Sequence, residues 1–262
     1  MAKDSKELVN SEQLEQYQAM SGELSMTGTK LNLPIIKIDY EKGENYGRFV
    51  KGIKNNEGQT QWTALGESFE AVRLVTRKTL RAYVDEENTM YTPEYDNPNE
   101  ILQIFSRGNM LLQGTAKDLR KNYTDSNGKC SLKMNIVMYL LLDQEIVRMY
   151  IKGASLASLF NFFQKIKFPK DAVYNTLFTL HPDKKGSINY FVIDYAMGSQ
   201  YKDIKKVLEV QKELRLGFKF LKEMRENKGV EYEVSSEHET IHASTPAIDQ
   251  GGDEIDVSKI PF

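Results

Sequence analysis

Cysteine, histidine and tryptophan are almost missing from this sequence, which has one Cys, three His and one Trp in 262 residues. A single thiol, Cys130, excludes an intrachain disulfide and points to a reducing, cytoplasmic setting. His181 is the only histidine before residue 229 and it sits in a turn-like stretch, so neither histidine acid–base chemistry nor a His/Cys metal site has its parts. Gly128-Lys129 lacks the upstream glycine and the following Ser or Thr of a phosphate-binding loop. No run approaches the ~18 consecutive apolar residues of a membrane span. The charged start, Met1-Ala2-Lys3-Asp4-Ser5-Lys6-Glu7, leads into no apolar signal core. Aspartate and glutamate are plentiful but form no close cluster, which leaves a carboxylate-only magnesium nuclease as a minor alternative. The expectation is a non-enzymatic chain with no catalytic residue, metal or cofactor and no membrane partner.

What is present is a charge asymmetry. The net charge is −2, yet residues 229–262 hold eight of the 37 acids and only Lys259 among the 35 bases. Residues 1–228 therefore carry +5, from 34 basic and 29 acidic side chains. A mildly basic body beside an acidic tail suits a polyanion-binding surface next to a segment that repels or mimics polyanions.

The periodicity divides the chain into four parts. Residues 1–28 read as a short helix (Leu8, Leu14, Tyr17 and Met20 apolar) and a polar lead-in. Residues 29–199 read as mainly β. Extended segments follow Leu31, a hairpin turn is signalled at Asn55-Asn56-Glu57-Gly58, and the clearest strand covers 69–84. Strict alternation there predicts one face of Val72, Leu74, Thr76, Lys78, Leu80, Ala82 and Val84. The opposite face holds Arg73, Val75, Arg77, Thr79, Arg81 and Tyr83. A turn-rich connection over 85–131, with a helical piece at 116–123, leads to a hairpin of 132–142 and 146–152 about Asp143-Gln144. Its second strand sets Arg148, Tyr150 and Lys152 against Val147, Met149 and Ile151. Helical spacing over 155–167, stopped by Pro169, precedes strands at 173–180 and 188–197 joined by a turn at His181–Gly186. Residues 200–228 read as an amphipathic helix with Ile204, Val207, Leu208, Gln211, Leu214, Phe218 and Leu221 along one side. It either packs on the body or pairs subunits in a homo-oligomer. Residues 229–262, polar and acidic, read as a disordered interaction tail.

Strand, long connection, hairpin, helix, hairpin is the element order of an OB-fold, a five-stranded Greek-key barrel that binds oligonucleotides across one face. The expected fold is thus an elaborated OB-fold with insertions, a C-terminal helix and a tail. Grip on a single strand needs basic side chains for phosphates and aromatics on which bases stack. The candidates are Trp62, Arg73, Arg77, Arg81, Tyr83, Arg148, Tyr150 and Lys152. An ordinary solvated strand face with ion pairs is the plain alternative for the arginines, and a core anchor for Trp62.

The chain ends Gly251-Gly252-Asp253-Glu254-Ile255-Asp256-Val257-Ser258-Lys259-Ile260-Pro261-Phe262. This tip resembles the C-terminal tail of bacterial and phage single-stranded DNA-binding proteins. The resemblance implies coating of single-stranded DNA and recruitment of replication, recombination and repair proteins, with Asp253, Glu254, Asp256, Ile260, Pro261 and Phe262 as the partner-binding residues. Phe262 offers a ring and the α-carboxylate together, Pro261 limits the entropy lost on docking, and Ile260 adds an apolar contact. Ser258 and Lys259 depart from the family's acidic run, and the body shares no motif with the ordinary bacterial protein, which implies a phage or otherwise divergent version. Two other readings stand beside it. One is a replisome adaptor or inhibitor that uses the tip without binding DNA; the other is a single-stranded RNA-binding protein.

Overall fold

The computed structural model describes residues 26–27, 30–31, 33–54, 59–83, 89–106, 109–123, 132–166, 172–185 and 188–228. The N-terminal helix expected within 1–28, the turns at 55–58 and 125–128 and the acidic tail over 229–262 lie outside the described residues.

The fold is mainly β, with one large mixed sheet and a long C-terminal helix. In chain order the strands are β1 (Met26–Thr27), β2 (Lys30–Leu31), β3 (Ile35–Ile38), β4 (Phe49–Lys54), β5 (Thr60–Gly66), β6 (Ser68–Tyr83), β7 (Thr89–Tyr91), β8 (Leu102–Ser106), β9 (Asn109–Gly114), β10 (Lys133–Leu142), β11 (Glu145–Ile151), β12 (Val173–Lys185) and β13 (Ile188–Tyr201). The helices are α1 (Ala116–Asn122), α2 (Ala154–Lys165) and α3 (Ile204–Lys228).

β6 organises the sheet. One edge carries β10 in antiparallel register from Val72 to Arg81. Its other edge is shared, by β12 at the start (Ser68 to Val72) and by β7 at the end (Arg81 to Tyr83). β10 and β11 form a hairpin whose turn residues, Asp143 and Gln144, both have positive φ (49° and 69°), as the tight turns matching strand twist require. The outer edge of β11 takes β3 in parallel through Arg148↔Ile35 and Met149↔Ile36, and β4 and β5 continue outward antiparallel. β12 pairs with β13 along nearly its whole length. No ladder joins β11 to β13 among the described residues, so the sheet is not closed.

Instead, the turn after β3 leans on β13. The rings of Tyr40 and Tyr46 lie 6.0 and 5.6 Å from that of Phe191. Gly47, at φ 71°, lets the turn come this close, because a Cβ there would fall 2.4 Å from the Phe191 ring.

Two cores lie on opposite faces. Against α2 (Leu159, Phe162) pack Phe69 and Ala71 of β6, Ile136, Met138 and Leu140 of β10, Met149 of β11 and Phe178 of β12. Against α3 (Val207, Val210, Leu214, Phe218) pack Val72, Leu74, Val137, Tyr139, Leu141 and Ile146. A third cluster, around Leu80, Met90, Ile104 and Leu119, fills the connection between β6 and β10. The stripe that α3 buries is rotated from the expected one. Val210 replaces Leu208, which is 61 % exposed, because the sheet accepts the 207–210–214–218 row.

Two further expectations are corrected. The turn expected at His181–Gly186 is a continuation of the ladder, with His181↔Val192, Pro182↔Phe191 and Lys185↔Ile188. Pro182 is tolerated because β6 ends its pairing with β12 at Thr179, so at 182 only one side of the strand needs ladder hydrogen bonds. The alternation expected along 69–84 also breaks. Val75 pairs with Tyr139 and Arg73 with Leu140, leaving Leu74 as a bulge. Its carbonyl accepts a hydrogen bond from Gln211 Nε2 of α3 at 2.8 Å. An extra residue reverses which face every later side chain meets.

Candidate nucleic-acid interface

That reversal decides where the candidate residues lie. Directly paired residues share a face of the sheet. A row therefore runs across six strands on the α3 face, through Trp62, Gly52, Ile35, Arg148, Tyr139 and Val75. The next row holds Tyr150, Val137 and Arg77, and Arg81 follows two residues beyond Thr79 on the same face. Arg73, on the far side of the bulge, faces α2, where its guanidinium lies 4.3 Å from the Phe163 ring. Burial lowers its pKa. The expected single face of Arg73, Arg77 and Arg81 is thus split by one residue.

At the β5 end of the row the indole of Trp62 is 37 % exposed. A Cβ at Gly52 would lie 2.5 to 2.7 Å from three atoms of its six-membered ring, so glycine is what lets the ring rest on the strand. Lys37 Nζ stands 4.1 Å from the ring centroid, a cation–π contact contributed by β3. Three strands further on, Tyr150 is flanked by two guanidiniums, Arg81 at 4.5 Å and Arg148 at 5.8 Å from its ring. The half-buried aromatics and the cations beside them form two clusters on one face.

Arg77 shares the face but is locked. It is 5 % exposed, its Nη2 donates to Asp96 Oδ1 at 2.7 Å and to the Glu94 carbonyl at 3.1 Å, and its guanidinium lies 4.4 Å from the Phe218 ring. These contacts tie β6 to the loop after β7 and to α3, and they occupy the charge. Beside it Tyr139 donates to Glu94 Oε2 at 2.7 Å. Burial chiefly, then the Glu94 carboxylate, holds the Tyr139 hydroxyl well above its usual pKa, against a smaller opposite pull from Arg148. Lys152 is exposed just past the end of β11, and Tyr83 closes β6 with its side chain outside the described residues. The tip residues Asp253, Glu254, Asp256, Ile260, Pro261 and Phe262 also lie outside them.

Sequence reasoning missed Lys37 and Gly52. Gly52 was signalled, since a glycine inside a strand marks a close approach; nothing local signalled Lys37, which reaches Trp62 from a strand two places away.

Elsewhere, Asp194 accepts from Ser158 Oγ at 2.9 Å, and His181 Nδ1 stands 2.7 Å from its other oxygen, off the hydrogen-bonding direction. The serine donates to the carboxylate and not to the imidazole, which is not the nucleophile–base–orienter order of a hydrolytic triad. Among the described residues no three His, Cys, Asp or Glu side chains are grouped to hold a metal ion, and no described helix is long and apolar enough to cross a membrane.

In comparison with known proteins, no family model matches the chain, and no curated protein or solved structure matches it.

Proposed function

We propose that this chain binds single-stranded DNA across the α3 face of its sheet and recruits replication, recombination and repair proteins through Ile260-Pro261-Phe262. The observation that carries the reading is the gathering of Trp62 with Lys37, and of Tyr150 with Arg81 and Arg148, on one face. Each cluster pairs an aromatic surface for a base with a cation for a phosphate, the two components of sequence-tolerant single-strand binding. From Trp62 on β5 to Tyr150 on β11 is three strand steps, about 14 Å at ~4.8 Å per step, a span that a few nucleotides cross.

The connectivity supports the same reading. β6, β10, β11, α2, β12 and β13, with β6 paired to both β10 and β12, follow the strand order of an OB-fold. In this reading β3 takes the edge of β11 that the last strand would otherwise close upon. The body's +5 charge favours a polyanion, and the acidic tail competes weakly for the same surface. A cytoplasmic site of action fits the single thiol.

Trp62 is the only tryptophan, so its fluorescence reports on this face alone. Titration with oligo-dT should quench it, with an affinity that falls as salt rises. Titration with oligo-rU distinguishes an RNA-binding protein, and an affinity below detection for both, with partner capture by the tip intact, would establish the adaptor reading instead.

A further inference from the structure

α3 holds eight bases and four acids, so its net +4 is nearly all of the +5 carried by residues 1–228. The side turned from the sheet carries Ile204, Leu208, Lys212, Arg215, Leu216 and Lys219, at helical spacings of three and four that place them on one stripe. Its three aliphatic side chains are 37 %, 61 % and 47 % exposed. Lys212 and Arg215, between them, are exposed and form no ion pair among the described residues. Lys219 only approaches Glu223, at 3.7 Å. A single nucleic-acid strand stacks its bases on aromatic rings and gives its phosphates to cations, so exposed aliphatic side chains serve neither. A peptide that mixes carboxylates with aliphatic side chains uses both components of the stripe.

We propose that this stripe seats the chain's own acidic segment, Asp253-Glu254-Ile255-Asp256-Val257, with its carboxylates against Lys212, Arg215 and Lys219 and its aliphatic side chains against Leu208 and Leu216. Residues 229–262 leave from the end of α3 with a net charge of −7, opposite in sign to the helix. Leu208 lies twenty residues back from Lys228, about 30 Å at ~1.5 Å per residue. The 25 residues from Lys228 to Asp253 can span about 80 Å at ~3.3 Å each, so the segment reaches the whole stripe. Glu231 and Glu233, three and five residues past the helix, span about 17 Å at most and reach only its last turns. The covalent link makes the contact intramolecular, at an effective concentration on the order of millimolar, so a shallow seat still fills. The seat is on the outer side of α3, and the tail's competition at the DNA face is the weaker of its two associations. The proposal needs neither strand binding nor partner recruitment and is tested without them.

A nitroxide carried on Ser258→Cys, in a Cys130→Ser background that leaves it the only thiol, reports on the seat by broadening the amide resonances of nearby residues in the full chain. At low salt the broadening should centre on Leu208–Lys219, be lost when Lys212→Glu is combined with Arg215→Glu, and fade above ~0.2 M salt. Mixing the nitroxide-bearing chain with isotope-labelled chain that lacks the nitroxide should leave those amides sharp, because the contact is within one molecule. Broadening spread evenly over the body, or centred on Trp62 and Lys37, overturns the proposal. So does broadening at α3 that ignores the double charge reversal, or that appears equally in the mixture, which would give the seat to a second copy's tail. If the charge-reversed chain fails to fold, Ile255→Ser with Val257→Ser decides, since residues 1–252 are untouched: the broadening at α3 should be lost, and an unchanged pattern overturns the proposal.

Discussion

The indole of Trp62 occupies the space that a side chain at residue 52 would need. With a Cβ at Gly52, the nearest ring atom would lie 2.5 Å away, which no real contact tolerates. The orientation of the one tryptophan is thus set by the absence of a side chain on the neighbouring strand.

Gly52→Val should lift the ring off the strand, red-shift Trp62 emission before any DNA is added, and weaken oligo-dT binding toward the level of Trp62→Ala. One base stack is worth about 1–3 kcal/mol, so the loss should be about 5- to 150-fold. The ring is at the surface and free to swing away, so the urea midpoint should change little. Unaltered affinity in both variants removes Trp62 from the binding surface.

Arg77 and Arg148 share a face but should fail differently. Arg77→Ala strands Asp96, the Glu94 carbonyl and the Phe218 ring and should cost about 1–3 kcal/mol of stability, the Asp96 pair being discounted for the exposure of its carboxylate. Arg148→Ala should reduce the slope of log K against log salt by about 0.7, the value for one lost phosphate contact on a single strand, and Arg77→Ala should leave that slope unchanged. An unchanged salt slope for Arg148→Ala, or an equal drop for Arg77→Ala, would contradict this division.

Alkaline pH should loosen the α3 face. Tyr139 has its folded-state pKa raised well above the ordinary tyrosine value, mainly by burial, and Tyr95 is pushed up to about 12 for the same reason. A raised folded pKa means that the folded state holds its proton longer. The stabilisation is full below the unfolded pKa of about 10 and is lost as pH climbs from there through the folded value. Urea midpoints measured from pH 9 to 11 should fall more steeply for wild type than for Tyr139→Phe, with Tyr95 supplying part of the residual slope.

Deleting Pro261-Phe262 should abolish capture of replication and repair proteins while leaving oligo-dT affinity intact. Truncation at Gly252 also removes Asp253, Glu254 and Asp256, and should tighten DNA binding more at low salt than above ~0.2 M, where the Debye length is short. Lys259→Asp should strengthen partner docking if the pocket rim is basic. Pull-downs that return the same proteins with and without the last two residues would remove the recruitment role.

Much of the fold was legible because its long elements obey one period each. The alternation in β11 and the helical spacing of α2 are local properties, and the Asp143-Gln144 turn interrupts two apolar runs. The bulge at Leu74 was not legible. It is held by a hydrogen bond from Gln211, 137 residues away, and no local feature of 69–84 announces it. One skipped residue was enough to send Arg73 to α2 while Arg77 and Arg81 stayed on the α3 face. The parallel pairing of β3 with β11 was illegible for the same reason, and with it the approach of Lys37 to the candidate site. Tyr150 with Arg148, by contrast, was readable because both lie on one uninterrupted strand.

The gap between β11 and β13 gives the molecule a seam fastened by rings in place of a ladder. Tyr40 and Tyr46 against Phe191 are contacts worth about 0.5–1.5 kcal/mol per aromatic pair, well below the cost of unzipping a row of buried backbone bonds. The α2-side core runs beneath this seam, with Ile36 and Phe49 on one side and Phe178 and Ile193 on the other, so only the outer lip, where the rings meet, can fray at low free energy. Amide protons of the turn that carries Tyr40, Tyr46 and Gly47 should exchange with solvent through this fraying far faster than those locked between β6 and β10. Phe191→Ala should accelerate them further while leaving the amides between β6 and β10 unmoved, making these three rings a clasp at the lip of the sheet.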